Sequence, residues 1–172
     1  WYSNQPELLY LDSNCDKYID ESIAKYGRKF GISNHSTSLT EDKNFKPLTD
    51  LVGKMSIDFL DKQGFNMKKY TCMFTELWVQ EFPKEGFYFL KCSDKTSTPV
   101  FYDPRPGAVM TKLEEKDKNK LTLGVPNVNY SPQPGDLVLF NSYLSHGFRV
   151  DNGEENFRFI HFNLQAFPNQ LF

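Results

Sequence analysis

Along the chain, apolar positions recur first at helical and then at strand spacing. Ser13, Asn14 and Asp16 offer cap and first-turn chemistry, Cys15, Ile19, Ile23 and Tyr26 fall on one helical face, and Gly27 can close the helix. The polar stretch Ser33 to Asn44 separates this from a second segment, in which Pro47 suits a helix start and Leu48, Leu51, Val52, Met55, Phe59 and Leu60 form a stripe ending at Gly64. Both stripes predict faces that pack on a core. After Gly64 the pattern changes to short aromatic and β-branched runs separated by Pro, Gly, Asn and Asp. Runs at 70–82, 87–91, 99–102, 121–125, 136–140 and 157–167 predict the strands of a sandwich or barrel. The charge-dense piece 112–120 predicts a solvated loop. With no repeat and no low-complexity linker, the reading is one domain over 1–172, with a helical lead-in at 1–66 and a β core at 67–172.

Composition sharpens this picture by exclusion. The 172 residues carry 20 Lys and Arg against 22 Asp and Glu, a net charge of -2, so a nucleic-acid footprint is not expected. No apolar run is long enough for a bilayer, and the start at Trp1 lacks both a basic and an apolar leader region, so neither a membrane span nor a signal peptide is expected. Cys15, Cys72 and Cys92 are odd in number and far apart, which predicts free thiols and a cytoplasmic protein. The 16% aromatic content favours β structure, because flat rings pack well on a pleated surface.

Candidate chemistry centres on three histidines. His35 lies in a polar stretch and reads as an exposed loop residue; His161 falls on one sheet face with Phe157, Phe159 and Asn163, where a hydrogen-bonded sheet histidine is the plain reading. His146 ends the segment Pro134-Gly135-Asp136-Leu137-Val138-Leu139-Phe140-Asn141-Ser142-Tyr143-Leu144-Ser145-His146, which delivers an imidazole just past an apolar strand. Arg158 follows the turn signal Asp151-Asn152-Gly153, so a hairpin would bring it and His146 toward one cavity. A neutral imidazole suits a divalent metal and a guanidinium fork suits a carboxylate. Spacing alone equally allows a surface histidine and a surface arginine in separate salt bridges. Asp103 and Arg105 are expected to pair and shape their loop.

Taken together, several blocks in order resemble the 2-oxoglutarate- and Fe(II)-dependent oxygenases, in particular small members from marine bacteria and phages. The resemblance spans Thr75 to Gln165. Glu76-Leu77-Trp78-Val79-Gln80 looks like the strand entering the barrel, and Gly86-Phe87-Tyr88-Phe89-Leu90 resembles a Ser-Gly-x-Tyr-Tyr strand. Tyr102-Asp103-Pro104-Arg105 resembles an Asp-Pro-Arg loop, Pro134 to His146 the most specific block, and Phe162-Asn163 the closing strand. The resemblance implies a mainly β fold with N-terminal helices, a double-stranded β-helix (jelly-roll, cupin-like) barrel, with Fe(II) and 2-oxoglutarate as cofactors. It implies His146 as a metal ligand and Arg158 as the partner of the cosubstrate's far carboxylate. The Tyr88 hydroxyl could reach the same carboxylate, although a buried aromatic is the plainer reading, and His161 and Asn163 are further candidates. The small-molecule cosubstrate is the one partner it names; no loop identifies the primary substrate of this hydroxylase-type activity.

Two departures qualify the resemblance. The family's first two metal ligands, His-x-Asp or His-x-His, would lie between Trp78 and Tyr88, yet Pro83-Lys84-Glu85-Gly86 runs directly into Phe87 with no histidine. Either a ligand-bearing loop is missing at this junction as the sequence stands, or a deletion has left a metal-free jelly-roll module for binding or assembly. Counting back from Asn163, the family's arginine would also fall at Phe157, one place from Arg158. A one-residue slip reverses the face a side chain meets, so either a bulge restores Arg158 to the cavity or it points outward.

Overall fold

A computed structural model of the chain describes residues 2–27, 34–82, 88–105, 113, 116–117, 120–148, 155 and 157–169. Two helices lead the chain. Helix α1 (Leu11–Tyr26) buries Leu11, Cys15 and Ile19, each one turn from the next, while Tyr26 at its end is exposed. The expected cap does not form at Ser13, which sits inside the first turn and donates its hydroxyl to the Tyr10 carbonyl at 2.8 Å. Gly27, at a φ of 75°, does close the helix, donating its backbone N–H to the Ile23 carbonyl. Helix α2 (Lys46–Lys62) has Pro47 in its first turn and buries Leu48, Val52 and Ser56.

The remainder is strand and loop. The described strands are β1 (Tyr2–Asn4), β2 (Asn34–His35), β3 (Tyr70–Phe82), β4 (Tyr88–Lys91), β5 (Pro99–Tyr102), β6 (Asn127–Asn129), β7 (Asp136–Val138), β8 (His146–Phe148) and β9 (Phe157–Pro168). They form two antiparallel sheets, one ordered β1-β7-β4-β9-β3-β2 and the other β6-β5-β8. The run at 121–125 is a turn rather than the expected strand: the Val125 N–H reaches the Thr122 carbonyl at 3.1 Å, and pairing resumes at Asn127, past Pro126. Residues 83–87, 151–154 and most of 112–120 carry other expectations made above, which lie outside the described residues.

The large sheet is covered on both faces. On one, Leu77, Val79, Tyr88, Leu90, Leu137, Ile160 and Phe162 pack with Leu11, Cys15, Ile19, Leu48 and Val52 of the helices. On the other, Phe89, Val138 and Phe159 meet Phe101, Phe140 and Phe148 from the small sheet and its flank. Each fully buried aliphatic or aromatic side chain contributes about 1.5–3 kcal/mol of transfer free energy, so this double burial dominates the stability of the fold. The protein is thus mainly β with two helices; among the described residues the two sheets face each other without joining into one closed barrel. No helix among them is long and apolar enough to cross a membrane. The three cysteines are unbridged, and burial pushes the Cys15 and Cys92 thiols up to about 12.

The amino-terminal segment is bound tightly to this frame. β1 pairs with β7, the Gln5 N–H donates to the Gly135 carbonyl at 2.6 Å, and the Tyr88 hydroxyl donates to the Gln5 carbonyl at 2.9 Å. Gly135 makes the approach possible: its φ is 91°, and a Cβ there would lie 2.8 Å from the Pro6 Cα. A Gly135→Ala substitution is therefore expected to destabilise the protein by about 1–3 kcal/mol or more, from left-handed strain and backbone collision together. Urea denaturation checks this, and an unchanged midpoint would remove Gly135 from the account.

Candidate functional site

The β3–β9 ladder decides which side chains meet. Its register runs without interruption from Glu81 opposite Arg158 to Glu76 opposite Asn163, and the irregularity comes only between Phe74 and Glu76. Residues two apart on a strand share a face. Arg158 therefore shares the helix-covered face with Ile160 and Phe162, whereas Phe159, His161 and Asn163 share the opposite one. The irregularity beside Arg158 lies in β4, between Phe89 and Lys91 opposite Phe159 and Arg158, and does not turn the arginine over.

Arg158 is correspondingly not a cosubstrate anchor in a chamber shared with His146. It is buried at the seam between α1 and the large sheet, where its Nη1 lies 2.9 Å from Asp12 Oδ1 and 2.7 Å from Asp16 Oδ1 and its Nη2 lies 2.6 Å from Glu81 Oε2. Lys91 Nζ adds a contact to Asp12 Oδ2 at 3.1 Å. The hydrogen bond from Arg158 holds the Asp16 carboxyl below its usual range. Three carboxylates against two cations leave this cluster acidic, so a dicarboxylate would be repelled from it. Asp12 and Asp16, a helical turn apart beside the buried stripe, were the signal in the sequence for this partnership; there Asp16 reads simply as a capping residue.

Tyr88 is also placed elsewhere. Its ring is fully buried in the helix-side core, and its hydroxyl is engaged by Gln5. Burial raises its pKa far above the ordinary tyrosine value, so it is a structural hydroxyl rather than a contact for an anion.

The other two histidines of interest lie on the far side. His146 opens β8, exposed, opposite Phe101. Its ring stands edge-on to Phe140 with centroids 4.7 Å apart, and its Nδ1 lies 2.8 Å from the Leu144 carbonyl. A carbonyl only accepts, so Nδ1 carries a proton, and in the neutral imidazole Nε2 then keeps the lone pair that can bind a metal ion. His161 projects from the large sheet toward the same side and stacks on Trp78 with centroids 4.3 Å apart and planes 19° apart. Burial lowers the His161 pKa; the Glu76 charge opposes that shift and the charge of nearby His146 reinforces it. Asn163 is exposed and donates to Glu76, its cross-strand neighbour. His35 sits in β2 rather than a loop, its ring 6.1 Å from that of Trp78. Asp103 and Arg105 pair as expected, with Arg105 Nε 2.9 Å from Asp103 Oδ1, and this bond lowers the Asp103 pKa to about 2.

Residues 84–163 match the family described as "Putative 2OG-Fe(II) oxygenase". The matched segment contains β4 to β8, the Asp103–Arg105 loop and His146. The match covers 80 of the 172 residues, and the description of the matched family names Fe(II) and 2-oxoglutarate. No curated protein matches the sequence. Tested against the structure, the metal finds one suitably protonated ligand in His146, but among the described residues no three His, Cys, Asp or Glu side chains converge on a metal position. These residues do not by themselves complete an iron site.

Two outcomes follow from this placement. Arg158→Ala removes the buried cation that the partly buried Asp12 and Glu81 and the exposed Asp16 share, and is expected to destabilise the protein by on the order of 2 kcal/mol; a variant as stable as the parent in urea would show the cluster to be inert. For His161, the lowered pKa means that the unfolded chain takes up a proton that the folded protein resists. Stability should thus fall as pH drops below about 6.5, and His161→Phe should flatten that slope in thermal melts of metal-free protein.

Proposed function

We propose that the protein is a 2-oxoglutarate- and Fe(II)-dependent oxygenase of the hydroxylase type, with His146 as one ligand of its iron. The observation that carries this reading is that the segment matched to the oxygenase family includes His146 and that the Leu144 carbonyl sets the tautomer a metal ligand needs. His161 supports it as a second imidazole on the same side of the large sheet, stacked on Trp78, with a pKa lowered by burial. The bound iron and cosubstrate would supply the oxidation. This chain's part is to hold the imidazole, against which the rings of Phe101 and Phe140 pack. The far carboxylate of the cosubstrate falls to a group other than Arg158.

A second reading, a metal-free jelly-roll module for binding or assembly, is favoured by one observation: no histidine lies between Trp78 and Tyr88, where the resemblance places two ligands. Anaerobic addition of Fe(II) and 2-oxoglutarate separates the two. The oxygenase is expected to show a visible charge-transfer band and a stabilisation of about 2.7 kcal/mol at a hundredfold excess over Kd. His146→Ala should abolish both while retaining the fold by circular dichroism. A parent protein that shows neither response leaves the module.

A further inference from the structure

Three side chains cross the small sheet in a row. His146 on β8 opposes Phe101 on β5, and Phe101 opposes Val128 on β6. Directly opposed residues of an antiparallel ladder stand on the same face, so the imidazole and the two apolar groups are presented together. Beside this row lies a solvent-open groove of about 630 Å³, lined by Phe101 and Val128 themselves, by Leu144 two residues before His146, and by Leu121 and Leu123. Leu121 is 73% exposed, Leu123 84% and Val128 41%. Scattered exposed leucines are ordinary, but a contiguous apolar patch in a concavity of this size is the usual character of a small-molecule site.

The groove's electrostatics select what it can take. Among the described residues its charged lining members are Asp103 and Arg105, and these are bound to each other, with Arg105 Nη2 also donating to the Leu123 carbonyl at 3.0 Å. The guanidinium is already committed and the pair carries no net charge. A charged ligand would lose hydration here and find no uncommitted counter-ion among the described lining residues, whereas an apolar group would cover leucine surface now facing water.

We infer that this groove receives the primary substrate as an uncharged alkyl or aryl group of a small molecule and holds it beside His146. The assignment of the occupant as substrate rests on the oxygenase reading above.

The test uses the full chain without metal and the neutral fluorophore N-phenyl-1-naphthylamine. Saturable binding is expected, weakened about tenfold or more by Leu144→Asp and by Val128→Asp, both partly exposed positions where an acidic residue leaves the fold intact by circular dichroism. The sulfonated analogue 1-anilinonaphthalene-8-sulfonate should bind about tenfold more weakly than the neutral probe. Absence of saturable binding, equal binding by both variants, or equally tight binding of the sulfonate overturns the inference. With Fe(II) and 2-oxoglutarate present, neutral compounds that displace the probe are expected to raise succinate release about tenfold; displacement that leaves succinate release unchanged overturns the substrate assignment. Failure of the two readings is distinguishable. A charge-transfer band without probe binding removes the groove and leaves the oxygenase, while probe binding without the band removes the oxygenase and leaves an apolar-ligand site.

Discussion

The alternation of side chains across the β3–β9 ladder is the constraint on which the other features depend. These are the two longest strands, and their register holds from Glu81 and Arg158 to Glu76 and Asn163. Over that span each residue is committed to one face, because the pleat has a period of two. Leu77, Val79, Ile160 and Phe162 are sent to the helices, and Trp78, Phe159 and His161 to the other side. A shift of one residue would drive Glu76 and Asn163 into the aliphatic core and turn four of its side chains to the less completely buried aromatic face. The hydrophobic cost of that exchange, several kcal/mol, is what pins the register.

Arg158 shows how the same constraint governs charge. Alternation directs it toward the helices, where a lone guanidinium would be costly to bury. Asp12, Asp16 and Glu81 offset that cost and tie α1 to both central strands. The cluster gives direction to an interface whose remaining contacts are apolar and non-directional, fixing where along the sheet the helix rests. At the opposite end of the seam, Gly135 lets the backbone of Gln5 and Pro6 come close enough to bond the sheet, and the Tyr88 hydroxyl completes the attachment. Residues that look like site chemistry in the sequence are thereby absorbed into scaffolding.

The far side of the sheet has the complementary character. It is aromatic, less completely buried, and brings His146 from one sheet and His161 from the other into electrostatic range. The small sheet then extends the surface from His146 through Phe101 to Val128 and into the leucine-lined groove. A chemistry-bearing imidazole beside an uncharged apolar concavity is a consistent arrangement for an oxygenase acting on an unactivated group.

Much of this was legible in local pattern. Helical stripes announced α1 and α2, Gly27 and Pro47 marked their ends, and apolar runs located β3, β4, β5, β7 and β9, because each of these signals acts through neighbours within a turn or along a strand. The His146 block was legible for the same reason, as was the Asp103–Arg105 pair two residues apart. The run at 121–125 misled because its apolar content resembles a strand while Thr122, Gly124 and Pro126 favour a turn. What lay beyond the sequence was the choice of face for Arg158 and the partners that receive it. Asp12 and Glu81 are distant in the chain, and a parity of two turns on a single position in a register that only long-range pairing sets. Sequence by itself determined the two helices, five of the strands and the candidate imidazole; tertiary structure alone decided which groups share a side of the sheet, since strand pairing, not spacing, orients them.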